Sequence, residues 1–452
     1  MEVLQRTANR GSISTGYDID NSCKFEDAND EYLTRTNASG TNRRTFTVSF
    51  WFKRTKLGGT QELWDGGVYS EATRIGFGLS SDELWLDIGY SSRYRSSTTQ
   101  QFRDTSAWYH IVWKVDTTQS TEADRFRVYV NGAEITDWAS RQYPTQNFET
   151  SVASGLLARI GSYDSTYHGS SGYMAEFNYL DGLAVAPTEF GEYDDDSGIW
   201  IPKEYTGSYP GQSCYLDFSN SANLGSNAKG DDVDWTANNI AAADQATDTP
   251  TNNFCTMNVL KGGINLSGTL YNRLPLMTEG ATVVGNNANS YTFLEATMGV
   301  TSGKWYWEMK PTVDANTNVS GAGIATNINK GFYSTDGTGN FFYHMDGNRY
   351  VNGAATGYGA AWATNDILGF AYDADNWTLT CYKNNSSQGN LLASQADLSA
   401  EIAIPYMYSY GTHTYQWNFG GYHANSLSSA ASDANGYGTF EYAPPTGYYA
   451  LC

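Results

Sequence analysis

"AWYHIVWKVDTTQSTEADRFRVYVNGAEITDW", from Ala107 to Trp138, decides the fold. Tyr109, Ile111, Trp113 and Val115 alternate with His110, Val112, Lys114 and Asp116. Successive side chains of a strand point to opposite faces, so the first set makes one apolar face. Phe126, Val128 and Val130 repeat the pattern against Arg125, Arg127 and Tyr129. Asn131-Gly132 then supplies a dipeptide that tolerates positive φ, which a two-residue hairpin turn requires. The stretch reads as antiparallel strands, each with one buried face. His110 falls on the mostly polar face, as a solvated or hydrogen-bonded strand residue rather than a catalytic one.

The pattern extends outward. In "RTFTVSFWFKRT", Phe46, Val48, Phe50 and Phe52 share one face, and Thr47, Ser49, Trp51 and Lys53 the other. "ELWDGG", "TRIGFGLS" and "ELWLDIGY" are further short strands, and such spacing indicates a two-sheet sandwich. Further on, "GKWYWEMK" sets Trp305, Trp307 and Met309 against Tyr306, Glu308 and Lys310. "NDILGFAYDADNWTLTCYKNN" reads as a hairpin, with Leu368, Phe370 and Tyr372 on one strand and Trp377, Leu379 and Cys381 on the next. The 34 tyrosines, 13 tryptophans and 46 glycines favour short strands and tight turns. No long stretch carries apolar residues at helical spacing, so helix is expected below ~15%.

A chain of 452 residues implies two or three domains. The predicted class is all-β: two antiparallel β-sandwich domains joined by a polar linker. The expected boundaries are an N-terminal arm over 1–20, a first sandwich over 21–218, a linker over 219–263 and a second sandwich over 264–452. The linker, free to pack on its neighbours, is predicted from its small polar composition and its "TDTP" breaker.

A net charge of −21 repels a phosphate backbone, so nucleic acid is not an expected partner. Asn, Ser, Thr, Gly and Tyr make up much of the polar surface, a composition suited to adaptable hydrogen bonding. Five well-separated cysteines argue against a disulfide framework or a zinc site, and two or three are expected to be buried thiols. No apolar run approaches the ~20 residues of a membrane span, so no membrane insertion is expected. "MEVLQRTANRGSISTGYDID" lacks a signal-peptide core.

Two resemblances follow from these motifs. "FTVSFWFKR", "WYHIVWKVDTT", "RVYVNG" and "GYMAEFNYLDGLAVAPTEFG", in that order, resemble the laminin G-like branch of concanavalin A-like sandwiches over roughly residues 20–220. "GKWYWE", "GIA", "DILGFAYD", "LTCYKNN", "NFG" and "GYYAL" resemble a SPRY domain over most of 290–452. Asn384 and Asn385 replace the usual Asn-Gly turn there, and asparagine tolerates positive φ. "DWTANNI" and "DTPTNN" resemble linkers of bacteriophage virion proteins.

The concanavalin A-like resemblance raises glycan hydrolysis, which needs carboxylates on one face about 5 Å apart in a retaining enzyme. Glu83 and Asp87 share a face, but Trp85 stands between them. "AEFNYLDG" offers Glu176 and Asn178, with Asp181 on the opposite phase. No Gly-x-Ser-x-Gly occurs. No catalytic residue and no cofactor are therefore expected. Some laminin G-like relatives bind calcium, which takes six to eight oxygens at ~2.4 Å. Asp164 and Asp181 are the potential donors, and a metal site stays open. The candidate ligand-binding residues are aromatic and polar loop positions: Tyr163, Asp164, Tyr167 and His168, then Tyr343, Arg349, Tyr350, Tyr358 and Trp362. Such rings beside Asn, Asp and Arg stack on sugars and bond their hydroxyls, or bury themselves under the sandwich ends.

The resemblances imply a phage virion structural protein, made in the host cytoplasm and placed on the particle surface or tail. A tail fibre or adhesin recognising a host-surface glycan or protein comes first. A capsid decoration or knob protein and a polysaccharide depolymerase are the alternatives, and a cellular SPRY-type module fits the first half poorly. The arm, with Arg6 and Arg10 in an acidic chain, is expected to contact other virion proteins, and the chain to form a homo-oligomer, a trimer first.

Overall fold

A computed structural model describes residues 2–4, 16–38, 42–67, 72–78, 81–162, 169–260, 276–286, 291–314, 320–326, 339–393, 401–424 and 426–452. The chain divides into two compact units, Ser14–Thr251 and Met1–Ile13 with Asn252–Cys452. Both are all-β. The helical segments among the described residues are three-residue 3-10 turns such as Asp27–Asn29 and Pro187–Glu189. Far-UV circular dichroism is accordingly expected to lack the paired minima of helix.

Ser14–Thr251 is a two-sheet sandwich. One sheet runs Ala133–Glu134, Phe126–Val130, Trp108–Asp116, Thr45–Arg54, Gly172–Asp181 and Cys214–Leu216, with Ser22–Phe25 also beside Gly172–Asp181. The other runs Trp138–Ser140, Arg93–Gln101, Glu83–Gly89, Arg74–Phe77, Gln61–Asp65, Leu157–Ile160, Tyr32–Thr36 and Thr236–Asn238. Asn131 and Gly132 take φ of 49° and 77°, closing the hairpin in which Val130 pairs with Ala133. Phe46 meets Trp113 edge-on at 5.6 Å and Trp64 at 6.0 Å in the core. Each such ring pair adds about 0.5–1.5 kcal/mol beyond area burial.

The face carrying His110 is not solvated. The segment after Asp181 folds back over it, and His110 is buried. Its Nδ1 accepts the Trp200 indole N–H at 2.9 Å, so Nε2 carries the proton and donates to Ser49 Oγ at 2.9 Å. Burial lowers its pKa to about 3, which keeps the ring neutral. Trp51 stacks on its other side at 4.6 Å.

Residues 219–251 correct the linker expectation. Lys229–Gly230, Thr236–Asn238 and Gln245–Ala246 each pair with sandwich strands, and Trp235 is 3% exposed. Small polar side chains left little apolar periodicity to read, yet backbone pairing needs none.

In the second unit, one sheet runs Leu276–Thr278, Val283–Asn286, His413–Asn418, Lys304–Asp314, Leu368–Asp373, Thr378–Lys383 and Ser386–Leu392. The facing sheet runs Tyr291–Glu295, Ile404–Tyr410, Ser320–Ala325, Asn340–His344, Asn348–Val351 and Ala354–Gly357. Asn384 and Asn385 take φ of 46° and 67° in their turn. Trp377 lies in the preceding turn with φ 52°, outside the strand assigned to it from the sequence. Glu2–Leu4 pairs in parallel with Met298–Val300, so the start of the arm joins this unit as a strand. Four cysteines are buried and Cys452 is half-buried, against the two or three buried thiols expected.

Candidate functional site

The outer face of the sheet containing Glu83–Gly89 gathers the polar chemistry of the first sandwich. Glu83, Trp85 and Asp87 point outward there because Leu84, Leu86 and Ile88 fill the core. Arg95 grips Asp87 through two bonds of 2.8 and 2.7 Å, and Arg74 adds a third at 3.1 Å. Both guanidinium groups lie 5.5 Å from the Trp85 ring centre. Glu83 accepts the backbone N–H of Ser81 at 2.6 Å.

Sequence reasoning missed a second pair on this face. Strict alternation puts Glu62 and Asp65 on opposite faces, but the register slips between Glu62 and Trp64. Leu63 and Trp64 then both enter the core, and Glu62 and Asp65 both turn outward. Burial pushes the Glu62 carboxyl up, and it pushes Asp65 up to about 7. Arg74 reaches Glu62 at 3.5 Å. Two neighbouring carboxyls with raised pKa are the kind of pair that hydrolases use for acid–base work. Both are fully buried.

The predicted loop residues Tyr163, Asp164, Tyr167 and His168 lie outside the described residues. Asp181 is buried and accepts the Gln212 N–H at 3.0 Å. Among the described residues, no group of three His, Cys, Asp or Glu side chains is placed to hold a metal ion.

In the second unit, Tyr343 and Trp362 correct the ligand-binding expectation, since both are core residues. Strand alternation turns Tyr343 inward with Phe341, and its hydroxyl donates to the Ala360 carbonyl. Tyr358 meets Tyr343 edge-on at 5.3 Å and donates to the Gly389 carbonyl. Arg349 donates to the carbonyls of Leu391 and Asn390 at 3.0 and 3.3 Å. The Tyr358 bond ties the 354–362 segment to the Ser386–Leu392 strand, and the Arg349 bonds tie the Asn348–Val351 strand to it. Tyr350 lies on the other face, stacked on Phe342 at 4.8 Å and 5.2 Å from His344. The structure thus brings Tyr343 and Tyr358 together and separates Tyr350 from them.

Comparison with known proteins finds similarity to β-sandwich domains. Residues 27–182 match the Laminin_G_3 family, described as the concanavalin A-like lectin/glucanases superfamily. No curated protein matches the whole chain or a part of it. Among solved structures, the SPRY domain of human HERC1 is 18% identical, with a TM-score of 0.28, over 32% of this chain and 92% of that one. Domain 4 of AbnA, a GH43 extracellular arabinanase from Geobacillus stearothermophilus solved with arabinotriose, is 19% identical, with a TM-score of 0.26, over 34% of this chain and 68% of that one. Residues 27–182 are thus similar to laminin G-like, concanavalin A-like domains, and SPRY domains are among the structures similar to the chain.

Proposed function

We propose that this chain is a recognition protein of a bacteriophage virion, a tail fibre or surface adhesin that binds a host-surface glycan or protein. One observation favours recognition over hydrolysis. Asp87 is held by two arginines and the Glu62–Asp65 pair is sealed from solvent, so the outer sheet face presents no free acid pair. A virion setting rests on the resemblance of "DWTANNI" and "DTPTNN" to segments of bacteriophage virion proteins. Purified protein is expected to adsorb to host cells and to block phage adsorption. Failure on both counts rejects the reading. No reducing ends should appear from host capsule or lipopolysaccharide. Release of reducing ends that Glu83→Gln or Glu62→Gln abolishes establishes a depolymerase instead.

The N-terminal segment is proposed to attach the chain to another virion protein or to sister subunits of a homo-oligomer, a trimer in the simplest case. Deleting residues 1–16 spares Tyr17 and removes the Glu2–Leu4 strand along with Arg6 and Arg10. The shortened chain is expected to fold and to be missing from particles; normal copy number in particles would overturn the assignment.

A further inference from the structure

Gly172–Asp181 runs through the middle of its sheet, and its alternation breaks once. Ala175 stands opposite Trp51 and Asn178 opposite Ser49, so three steps on this strand match two on its neighbour. The extra residue lets Met174 and Phe177 both reach the core while Ala175 and Glu176 both face outward. Glu176 takes φ 54°. Glycine or asparagine fills a left-handed position at lower cost, so this sequence accepts strain where it sets a carboxylate. On the strand's other side, Ser22–Phe25 pairs only as far as Met174, and Cys214–Leu216 begins at Phe177. Glu176 sits at the gap between them.

Tyrosines surround this carboxylate. Tyr17 donates to one oxygen at 2.7 Å and Tyr215 to the other at 2.6 Å. Tyr209 donates to Asn178 Oδ1 at 2.5 Å, and its ring lies 6.3 Å from Tyr215 and 5.3 Å from Tyr205. Glu176, Tyr17 and Tyr209 are half-buried, each keeping part of its surface open to solvent. No ion pair to Glu176 occurs among the described residues. Lys229 lies 5.4 Å from the Tyr215 ring but pairs with Glu204 at 3.1 Å. Burial raises the Glu176 pKa, and the two tyrosine hydroxyls pull it back down.

We propose that Glu176, Tyr17, Tyr209 and Tyr215 form a saccharide-binding site on the outer face of this sheet. The proposal rests on the recognition reading and gives it a place and a ligand class. Neighbouring hydroxyls of a pyranose donate charge-assisted bonds to the carboxylate, and a half-buried tyrosine ring takes the sugar's C–H face. A neutral sugar supplies donors without placing a second cation beside Lys229. The tyrosine hydroxyls fix the carboxylate plane before a ligand arrives, which lowers the ordering cost of binding.

The probes are the methyl glycosides of glucose, galactose, mannose and N-acetylglucosamine, titrated against the full chain by saturation-transfer NMR and calorimetry. At least one is expected to bind. Glu176→Gln should weaken it by roughly 10–100-fold, the range for losing hydrogen bonds to a charged group. Tyr209→Phe should weaken it less. Glu176→Gly, which suits the left-handed backbone, should bind no better than Glu176→Gln while melting no lower than the parent. Binding that survives Glu176→Gln overturns the site, as does the failure of all four glycosides to bind. Melting of Glu176→Gly well below the parent also overturns it, since the carboxylate is then a structural latch. Host-cell adsorption separates the two readings: if the parent adsorbs to cells while the glycosides fail, only this site falls.

Discussion

Asp248→Ala is expected to lower the unfolding temperature of the first sandwich by roughly 6–20 °C, from a cost of about 3–5 kcal/mol for breaking a buried ion pair. Asp248 lies in the stretch whose composition reads as linker. Its Oδ2 meets Lys53 Nζ at 2.7 Å, with Lys53 fully buried. Its Oδ1 accepts the Trp108 indole N–H at 3.1 Å, and its carbonyl accepts Ser22 Oγ at 2.6 Å. The side chain thus ties residues 244–251 to two strands, and the backbone carbonyl ties them to a third. An exposed linker position would change stability by less than about 0.5 kcal/mol. Asp248→Asn should fall between, because the amide oxygen still serves Trp108. A chain ended after Phe218 also loses Trp235, which packs edge-on against Phe177 at 6.0 Å, and is not expected to form the sandwich. If Asp248→Ala melts within a degree or two of the parent, the segment is a linker after all. Calorimetry of the full chain decides it.

The strands that set the fold were legible because burial imposed a period of two on them. Trp108–Asp116 and Phe126–Val130 are the clearest, since every second residue is a large apolar side chain in the core. Two bulges escaped, at Leu63–Trp64 and at Ala175–Glu176, because one extra residue shifts the phase without a compositional mark. Those bulges place Glu62, Asp65 and Glu176 on outer faces, so the sequence pairs Glu83 with Asp87 and Glu176 with Asn178 and misses Glu62 with Asp65. The aromatic candidates fared unevenly for a related reason. Tyr343 follows two phenylalanines and Trp362 follows two alanines in the sequence, and strand phase and loop closure carry both into the core. A ring's neighbours in sequence say little about which side of a sheet it enters.

Glu308→Ala should destabilise the second sandwich about as severely, and Glu308 should also give it a pH dependence. Strand alternation puts Glu308 on the outer face with Tyr306 and Lys310, and the C-terminal segment folds over that face. Four donors converge on its carboxyl: the backbone N–H groups of Glu441 and Tyr442 at 2.9 and 3.0 Å, the Tyr306 hydroxyl at 3.1 Å and the Asn418 amide at 3.3 Å. Each buried donor left without an acceptor costs about 1–3 kcal/mol, although water can enter the neighbouring cavity. That cavity, about 60 Å³, is lined by Lys310, His423 and Glu441 among others. Despite the donors, burial pushes the Glu308 pKa from 4.5 up to about 7. The folded state therefore holds this proton between pH 4.5 and 7 while the unfolded chain releases it. Stability from this group is complete below pH 4.5 and is lost as pH rises through 7, by about 3 kcal/mol at 1.36 kcal/mol per pH unit. Glu308→Gln cannot ionise, so the parent's advantage over it in unfolding temperature should shrink from pH 5 to pH 7.5. Asp65 and Glu31, also raised to about 7, remain in both chains, and their contributions cancel in that difference. If the parent instead gains on Glu308→Gln as pH rises, the four donors outweigh burial. Glu308 is then ionised throughout, and the C-terminal segment is clamped by a full charge.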